Sequence, residues 1–229
     1  MILFIVYNFF KKHNYLLWIT RKNYNSLVSL FTIIFLFTPL MVKAQNLQLN
    51  YTIMRKENDI GWLRLEKTTA ENKQQLLLFS EVKTKIIFPI AVFAKESSVF
   101  ENGKLIYSSQ IRKINGTTKL DKQTRLIANQ YEVLSNNQSQ KLTFSAITTN
   151  LLQLYFQEPT VSKMVYCDNL QCLVKIIKTA DGGYKIKFPN GNTNCYYYKD
   201  GVCIKIKIEH TFYSATIISN PQNNTFVSN

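Results

Sequence analysis

The sequence predicts an all-β protein, an antiparallel meander closed into a curled barrel or half-barrel with one short helix. After residue 44, stretches rich in β-branched and aromatic residues recur at roughly 8 to 12 residue spacing, without a sustained helical period. Nearly every glycine of this region lies in a predicted turn, where a positive φ is required. Regular short strands of this kind indicate a meander, and a β-sandwich is the alternative arrangement.

The first 44 residues are predicted to be a targeting segment. Acidic residues are absent before Glu57, and basic residues precede an apolar stretch at 27–42. A basic region, an apolar region and a small-residue cleavage site are the order of a signal peptide, here with cleavage after Ala44. An uncleaved anchor is the alternative, although the apolar stretch is shorter than the roughly 20 residues that span a bilayer. We therefore expect export to the periplasm or extracellular space, with membrane contact only through this segment and one domain at 45–229.

The net charge of the domain excludes few classes of function. Five of the 28 basic residues lie in the first 44, so 23 remain against 14 acidic residues, a net charge of +9. Many of the lysines alternate with apolar residues, as on the exposed face of a strand. Such a charge mainly keeps a domain soluble. Since the basic residues are scattered and an exported protein rarely meets nucleic acid, we expect no nucleic-acid partner.

The first half of the domain reads as strands joined by turns. Asn102-Gly103 and Asn115-Gly116 each predict a tight hairpin. Pro89 interrupts one stretch, which indicates a bulge or an edge position. A polar loop is expected at 135–140. The predicted strands are 48–56, 61–68, 74–85, 86–99, 105–114, 117–128, 130–134 and a short apolar one at 142–147.

The second half contains the predicted helix, 151–157, which follows the capping residues Thr148, Thr149 and Asn150 and ends before Pro159. Gly182-Gly183, Asn190-Gly191 and Asp200-Gly201 predict tight turns between the last strands. A frayed polar tail is expected at 221–229. The strands predicted here are 164–166, 173–178, 184–188, 194–198, 202–209 and 212–219.

The four cysteines lie in the last third of the chain. Cys167 and Cys172 flank a four-residue loop, so they face each other across a predicted hairpin and are candidates for a disulfide in an oxidising compartment. A two-residue turn at Asp200-Gly201 would place Cys195 and Cys203 on opposite faces. The spacings of the cysteines do not match a zinc site, and we expect no metal and no cofactor.

Catalytic patterns are weak in this sequence. His210 is the sole histidine after residue 44, and a Cys-His-Glu grouping around it would be needed for nucleophilic catalysis. A structural histidine at the end of a strand is the simpler interpretation. The sequence lacks a phosphate-binding loop, a nucleophile elbow and a zinc-protease motif, so we expect a protein that is not an enzyme.

Aromatic residues supply the candidates for ligand binding. Tyr196 and Tyr198 lie on one face of a predicted strand, and Tyr155 and Glu158 belong to the predicted helix that would close one end of a barrel. With His210 they form the candidate ligand-binding set. Packed strand tyrosines and a solvated Glu158 are the alternatives.

Several segments together resemble an uncharacterised family of exported bacterial proteins, classed as a domain of unknown function. The resemblance covers residues 45 to about 219 and implies one compact β-rich domain without an assigned activity. The family pattern has serine where Cys167 stands, which argues against a required Cys167–Cys172 bridge. The segments are FENGKL at 100–105, ING at 114–116, LYFQEP at 154–159, FPNGN at 188–192, YYYKDG at 196–201 and EHTF at 209–212.

These observations favour an exported, non-enzymatic protein of the bacterial envelope that binds a lipid or other apolar or amphipathic small molecule inside the barrel. The alternative is a structural or protein-interaction domain that binds an envelope protein through its surface. A roomy interior would favour the first function, and an exposed apolar patch the second.

Overall fold

The computed structural model describes residues 45–85, 88–135, 138–144, 146–211 and 213–228, with residues 226–228 described by backbone alone. The predicted targeting segment at 1–44 lies outside these residues and stays a prediction. The strands within them are β1 (Gln45–Arg55), β2 (Asn58–Ala70), β3 (Lys73–Lys85), β4 (Pro89–Glu101), β5 (Lys104–Ile114), β6 (Thr117–Ile127), β7 (Gln130–Ser135), β8 (Gln138–Lys141), β9 (Met164–Cys167), β10 (Cys172–Lys178), β11 (Tyr184–Lys187), β12 (Thr193–Lys199), β13 (Val202–His210), β14 (Tyr213–Ser219) and β15 (Thr225–Ser228).

The strands form one antiparallel sheet with the order β8-β7-β6-β5-β4-β3-β2-β1-β14-β13-β12-β11-β10-β9. β1 lies between the two halves of the meander, because it pairs with β2 on one side and with β14 on the other. The edge strands β8 and β9 do not pair with each other in the described part of the chain. The sheet is therefore not closed, and of the two predicted forms the half-barrel is the one observed.

Alternation of side chains along the first strands forms the concave core. Leu76 and Leu78 of β3 are buried on the same face as Leu65 of β2, as the period of two requires. The Asn102-Gly103 and Asn115-Gly116 turns have positive φ at both residues, 50° and 73° in the first and 48° and 81° in the second. Both hairpin predictions are confirmed. Pro89 is the first residue of β4, a position that needs no ladder hydrogen bond from its nitrogen.

The segment 142–163 differs from the prediction. Leu142 and Ile147 were expected in a short strand, yet neither lies in one. Both are buried among the core residues, and Ile147 accepts a hydrogen bond from Leu105 N–H at 2.8 Å. This interior segment therefore packs its buried residues inside the half-barrel instead of extending the sheet. The predicted helix 151–157 shrinks to one 3-10 turn, Gln153–Tyr155.

Two other segments predicted as irregular are strands. The expected loop 135–140 contains most of β8, which pairs with β7. The expected frayed tail contains a 3-10 turn, Pro221–Asn223, and β15, which pairs with the first residues of β1. Polar composition concealed β8, which pairs at an exposed edge where apolar side chains are not required. β15 contains Phe226 and Val227, and the polar residues before it concealed it.

The core joins the two halves of the sheet across the concave side. Tyr155 of the interior segment makes edge-to-face contact with Tyr51 of β1 at 5.5 Å and with Tyr196 of β12 at 6.3 Å between ring centroids. Tyr51 Oη also donates to the carbonyl oxygen of Cys203 in β13 at 2.8 Å. Within the described residues, the structure contains no helix with the length and apolarity needed to span a membrane.

Candidate functional site

Polar side chains occupy the concave side of the sheet near the His210 end of β13. On one wall, Glu96 of β4 pairs in register with Gln110 of β5, and Arg112 follows Gln110 by two residues. Glu96 and Ser98 lie on one face of β4, and Ser108, Gln110 and Arg112 lie on one face of β5. Since Ser98 and Ser108 are buried, all of these side chains face inward.

The opposite wall carries its own polar residues. Asn194 of β12 shares the inward face with the buried Tyr196, and His210 of β13 shares it with the buried Ile206. His210 pairs in register with Tyr213 of β14, and their rings lie 4.7 Å apart between centroids. The interior polar cluster is defined as Glu96, Gln110, Arg112, Asn194, His210 and Tyr213.

The charge of Arg112 acts on two ionisable residues of the opposite wall. Burial lowers the pKa of His210, and the positive charge of Arg112 lowers it further. Burial raises the pKa of Tyr213, against the opposing effect of the same Arg112 charge. The strand registers place Arg112, His210 and Tyr213 on the same concave side of the sheet.

Three buried polar atoms of the cluster have no hydrogen-bond partner in the described structure. They are Gln110 Oε1, Asn194 Oδ1 and His210 Nε2. Gln110 is 7% exposed. An unsatisfied buried polar atom costs about 1–3 kcal/mol, so three on facing walls are unusual in a purely structural core. They are the strongest sign of a binding site in the described residues.

Arg112 is similarly short of partners. The ion pairs within 4.0 Å in the described structure join Arg64 to Glu66 and Lys83 to Glu81. Arg112 belongs to neither pair, although its charge acts on the inward-facing Glu96. A guanidinium has five donors and no acceptor, so it remains available to an anion from outside the sheet.

A second polar network lies deeper and is fully bonded. Ser108 Oγ donates to Asp168 Oδ1, and Asn150 Nδ2 donates to Asp168 Oδ2 at 3.2 Å and to Ser98 Oγ at 2.7 Å. Burial raises the pKa of Asp168 from 3.8 to about 7. This network joins the β9–β10 hairpin and the interior segment to β4 and β5, which is a structural role.

The predicted tyrosines are core residues. Tyr155 and Tyr196 make edge-to-face contact inside the half-barrel, and Tyr198 Oη donates to the carbonyl oxygen of Leu154 at 2.8 Å. The structure therefore brings three of the predicted residues together. These contacts hold the interior segment against β12. The three tyrosines therefore act as packing residues and not as an open ligand-binding surface.

Glu158 is separated from His210. It accepts a hydrogen bond from Tyr184 Oη at 2.7 Å, and its N–H donates to Gly201 at the turn before β13. His210 lies at the other end of β13. Glu158 lines a shallow cavity of about 290 Å³ together with Thr148, Thr149 and Ser162. The five predicted residues thus do not form one site.

The cysteine geometry agrees with the hairpin prediction. Cys167 and Cys172 pair directly across β9 and β10. Both are free thiols in the structure, as are Cys195 and Cys203, so the disulfide stays a prediction. Cys203 is buried on the inner face and Cys195 lies on the outer one. The described residues contain no group of three His, Cys, Asp or Glu side chains that could hold a metal ion.

Sequence reasoning identified His210 but missed its neighbours. The stretch from Tyr107 to Arg112 in β5 is mostly polar, so the sequence does not mark its inward face. The Asn102-Gly103 turn pairs Phe100 with Leu105, but a bulge then shifts the register by one residue, so that Val99 pairs with Tyr107. The bulge, which the turn does not predict, is what brings Gln110 and Arg112 to the inward face.

The sequence and the fold can be compared with those of known proteins. A search of the curated proteins finds no match to this sequence. Among solved structures, the crystal structure of a beta-barrel-like protein of domain of unknown function DUF1849 from Brucella abortus is similar, with a TM-score of 0.48 and 8% sequence identity. The similarity covers 81% of this chain and 98% of that one. The profile of the family described as domain of unknown function (DUF6134) matches residues 51–220, and the chain therefore belongs to the DUF6134 family.

Proposed function

We propose that this protein is an exported, non-enzymatic binding protein that holds the polar end of a small amphipathic molecule in its half-barrel. The observation that carries the proposal is the set of unsatisfied polar atoms of Gln110, Asn194 and His210 on facing walls of the interior. A ligand that bonds to them would remove the free-energy penalty of leaving them buried without partners.

The amphipathic character follows from the neighbours of the cluster. Ala94 pairs in register with Arg112, and Ile208 pairs with Asn194 on one side and Ala215 on the other. Polar and apolar side chains therefore share the same wall. Ligand sites in proteins are mostly apolar with a few convergent polar groups, and this wall has that composition.

Catalysis is not part of the proposal. The ring of His210 lies against the Tyr213 ring, and burial and the charge of Arg112 lower the pKa of His210. Neither Tyr213 nor Arg112 is a nucleophile that a histidine would activate at neutral pH, and the buried Asp168 is occupied by Ser108 and Asn150. The residues of the cluster are arranged to bind rather than to transfer a group.

An envelope interaction through the outer surface is the alternative and has less support. Trp62, Phe93 and Ile218 are each about 40% exposed and belong to one cross-strand row. Glu81 lies between Trp62 and Phe93 in that row, and Thr52 lies between Trp62 and Ile218. Charged and polar residues thus divide the apolar surface, which weakens it as a partner site.

The test is native mass spectrometry of the full chain expressed in an exporting bacterial host and purified without detergent, compared with the same sample after denaturation. We expect an extra mass that disappears on denaturation. Gln110→Leu should lose that mass, because leucine offers no hydrogen bond, whereas the outward-facing Gln123→Leu should retain it. A bare polypeptide mass after incubation with envelope lipid extract would exclude ligand binding and favour the outer surface.

A further inference from the structure

We infer that the molecule held by the interior polar cluster is an acidic amphiphile, with its carboxylate on Arg112 and a hydroxyl or amide donor beside the carboxylate. This inference rests on the proposed function and specifies the ligand class for the same site. It depends on the position of Arg112, on the charges around it and on the chemical type of the unsatisfied atoms.

The position of Arg112 suits an anion inside the half-barrel. Residues 108, 110 and 112 face inward on β5, whereas Tyr107 faces outward beneath the guanidinium of Arg125. His210 and Tyr213 face the same concave side from β13 and β14, and their rings lie 4.7 Å apart between centroids. A carboxylate at the guanidinium would therefore lie between the two walls.

The neighbouring charges leave Arg112 free for such a group. Glu96 faces the same space, but it forms no ion pair within 4.0 Å of Arg112 in the described part of the chain. Burial raises the pKa of Glu96, and a hydrogen bond from Gln110 and the Arg112 charge oppose that rise. The single cation is thus not neutralised by contact with a carboxylate of the protein.

Glu96 also limits the charge of the ligand. When Glu96 is ionised, every negative charge on the ligand is repelled in an interior of low dielectric constant, so one charge is less unfavourable than two. A carboxylate carries one negative charge, whereas a phosphate monoester carries nearly two at neutral pH. The planar guanidinium matches the two carboxylate oxygens in a bidentate pair. The site therefore favours a carboxylate over a phosphate.

The unsatisfied atoms define the rest of the head group. Gln110 Oε1 and Asn194 Oδ1 are amide oxygens, which only accept hydrogen bonds. A bare carboxylate has no donor for them. A hydroxyl or amide N–H next to the carboxylate would supply one, so a hydroxy acid fits the cluster better than a simple fatty acid.

The experiment compares four ten-carbon probes by isothermal titration calorimetry on the full chain. They are 3-hydroxydecanoate, decanoate, decanol and decyl phosphate. We expect 3-hydroxydecanoate to bind more tightly than decanoate, and both to bind more tightly than decanol and decyl phosphate. Arg112→Gln should weaken 3-hydroxydecanoate binding by about 30-fold or more, since loss of one partner of a buried charge pair has an effect of that size.

Two further variants separate loss of the head-group contact from a general effect on the protein. Arg64→Gln removes an outward-facing arginine of β2 and should leave all affinities unchanged. Arg112→Lys retains the charge without the planar fork, so it should keep part of the carboxylate affinity even if Arg112→Gln folds poorly. Equal binding of decanol and decanoate, unaffected by either Arg112 variant, would overturn the acidic head group and leave the proposed function intact. Binding of none of the four probes would overturn both.

Discussion

The polar residues inside the half-barrel divide into two kinds at the residue scale. Asp168, Asn150, Ser98 and Ser108 bond to one another and are each at most 7% exposed. Gln110, Asn194 and His210, by contrast, each have one buried polar atom without a hydrogen-bond partner. A complete network stabilises the packing around it, whereas an incomplete one, here nearer the surface, indicates a place for another molecule.

Asp168 should make stability depend on pH. Burial raises its pKa from 3.8 to about 7, so the folded state holds the proton that the unfolded state releases. This contribution to stability is present below about pH 4 and is lost as the pH rises through about 7, by roughly 4 kcal/mol at most. Urea unfolding of Asp168→Asn at pH 4.5 and 7.5 should show a smaller pH effect than the unmodified protein. The exposed Asp121→Asn should retain the full effect, and equal pH effects in both variants would contradict the assignment.

The Tyr131 hydroxyl should be a strong local determinant of stability. Tyr131 is fully buried, and its Oη donates to the Leu105 carbonyl oxygen at 2.8 Å and accepts from Ile147 N–H at 3.1 Å. Tyr131→Phe leaves both backbone groups without this partner, which should reduce the free energy of unfolding by about 1–3 kcal/mol. Tyr107→Phe, on the outer face of β5, is the matched control in denaturant titration. Similar losses for the two variants would show that the hydroxyl contacts are not responsible.

The interior segment shows at the element scale why tertiary contacts overrode a local pattern. Its apolar residues Leu142 and Ile147 suit a strand, and its Asn150 suits a helix cap. Asn150 Oδ1 does accept from Gln153 N–H at 3.3 Å, but its amide nitrogen bonds to Ser98 and Asp168. The contacts of Tyr155 with Tyr51 and Tyr196 then hold the chain in one short turn. Burial inside the half-barrel stabilises this path more than a regular element could.

Tyr155→Ala should disrupt this element. The substitution removes two aromatic contacts and leaves a cavity among buried residues, which should reduce the free energy of unfolding by about 3–5 kcal/mol. The exposed Val161→Ala, in the same segment, should change it by less than about 0.5 kcal/mol. Thermal and urea denaturation measure both variants. A small loss for Tyr155→Ala would mean that the segment is not an integral part of the core.

The β9–β10 hairpin should close a disulfide under oxidising conditions. Cys167 and Cys172 are directly opposite each other, and cross-strand Cα distances of about 4.5 to 5.5 Å lie in the range that disulfides span. Mass spectrometry after alkylation should find these two thiols lost and Cys195 and Cys203 retained. Cys172→Ser should abolish the change and Cys195→Ser should not. Four alkylated thiols after mild oxidation would refute the bridge.

β1 organises the molecule at the largest scale. Most neighbouring strands in the sheet are also neighbours in sequence, whereas β1 joins β14 through pairs such as Tyr51 with Ser219. The N-terminal and C-terminal halves of the meander thus share one central strand. Because this pairing has to form before the core is complete, we expect the two halves to unfold together.

This cooperativity can be measured with Trp62, the one tryptophan among the described residues, which lies in β2. Ile206→Ala in β13 removes a buried side chain from the other half, and should lower the unfolding midpoint reported by Trp62 fluorescence, with a loss of about 2–5 kcal/mol. Ile204→Ala, at an exposed position of the same strand, should have little effect. Unchanged fluorescence with a shifted circular dichroism transition would show that the halves unfold separately.

Much of the fold could be predicted from the sequence because local chemistry determines it. The Asn102-Gly103 and Asn115-Gly116 turns need positive φ, and the alternation in β3 places Leu76 and Leu78 on one face. These features act within one hairpin, so they are readable without knowledge of the rest. One missed strand, β8, is polar and pairs at an edge of the sheet; the other, β15, is a four-residue strand that follows a polar turn and pairs with the start of β1.

Local sequence therefore predicted the all-β class, the order of the hairpins, the opposition of Cys167 to Cys172 and the position of His210 at a strand end. Tertiary structure was needed to show that the sheet stays open, that Leu142, Ile147 and residues 150–156 pack inside it, and that Arg112 and His210 share its concave side. The physical reason is that strand alternation fixes which residues share a face, but curvature of the whole sheet determines which faces meet. The candidate site depends on that second step, since its two walls, β4–β5 and β12–β14, are separated by three intervening strands.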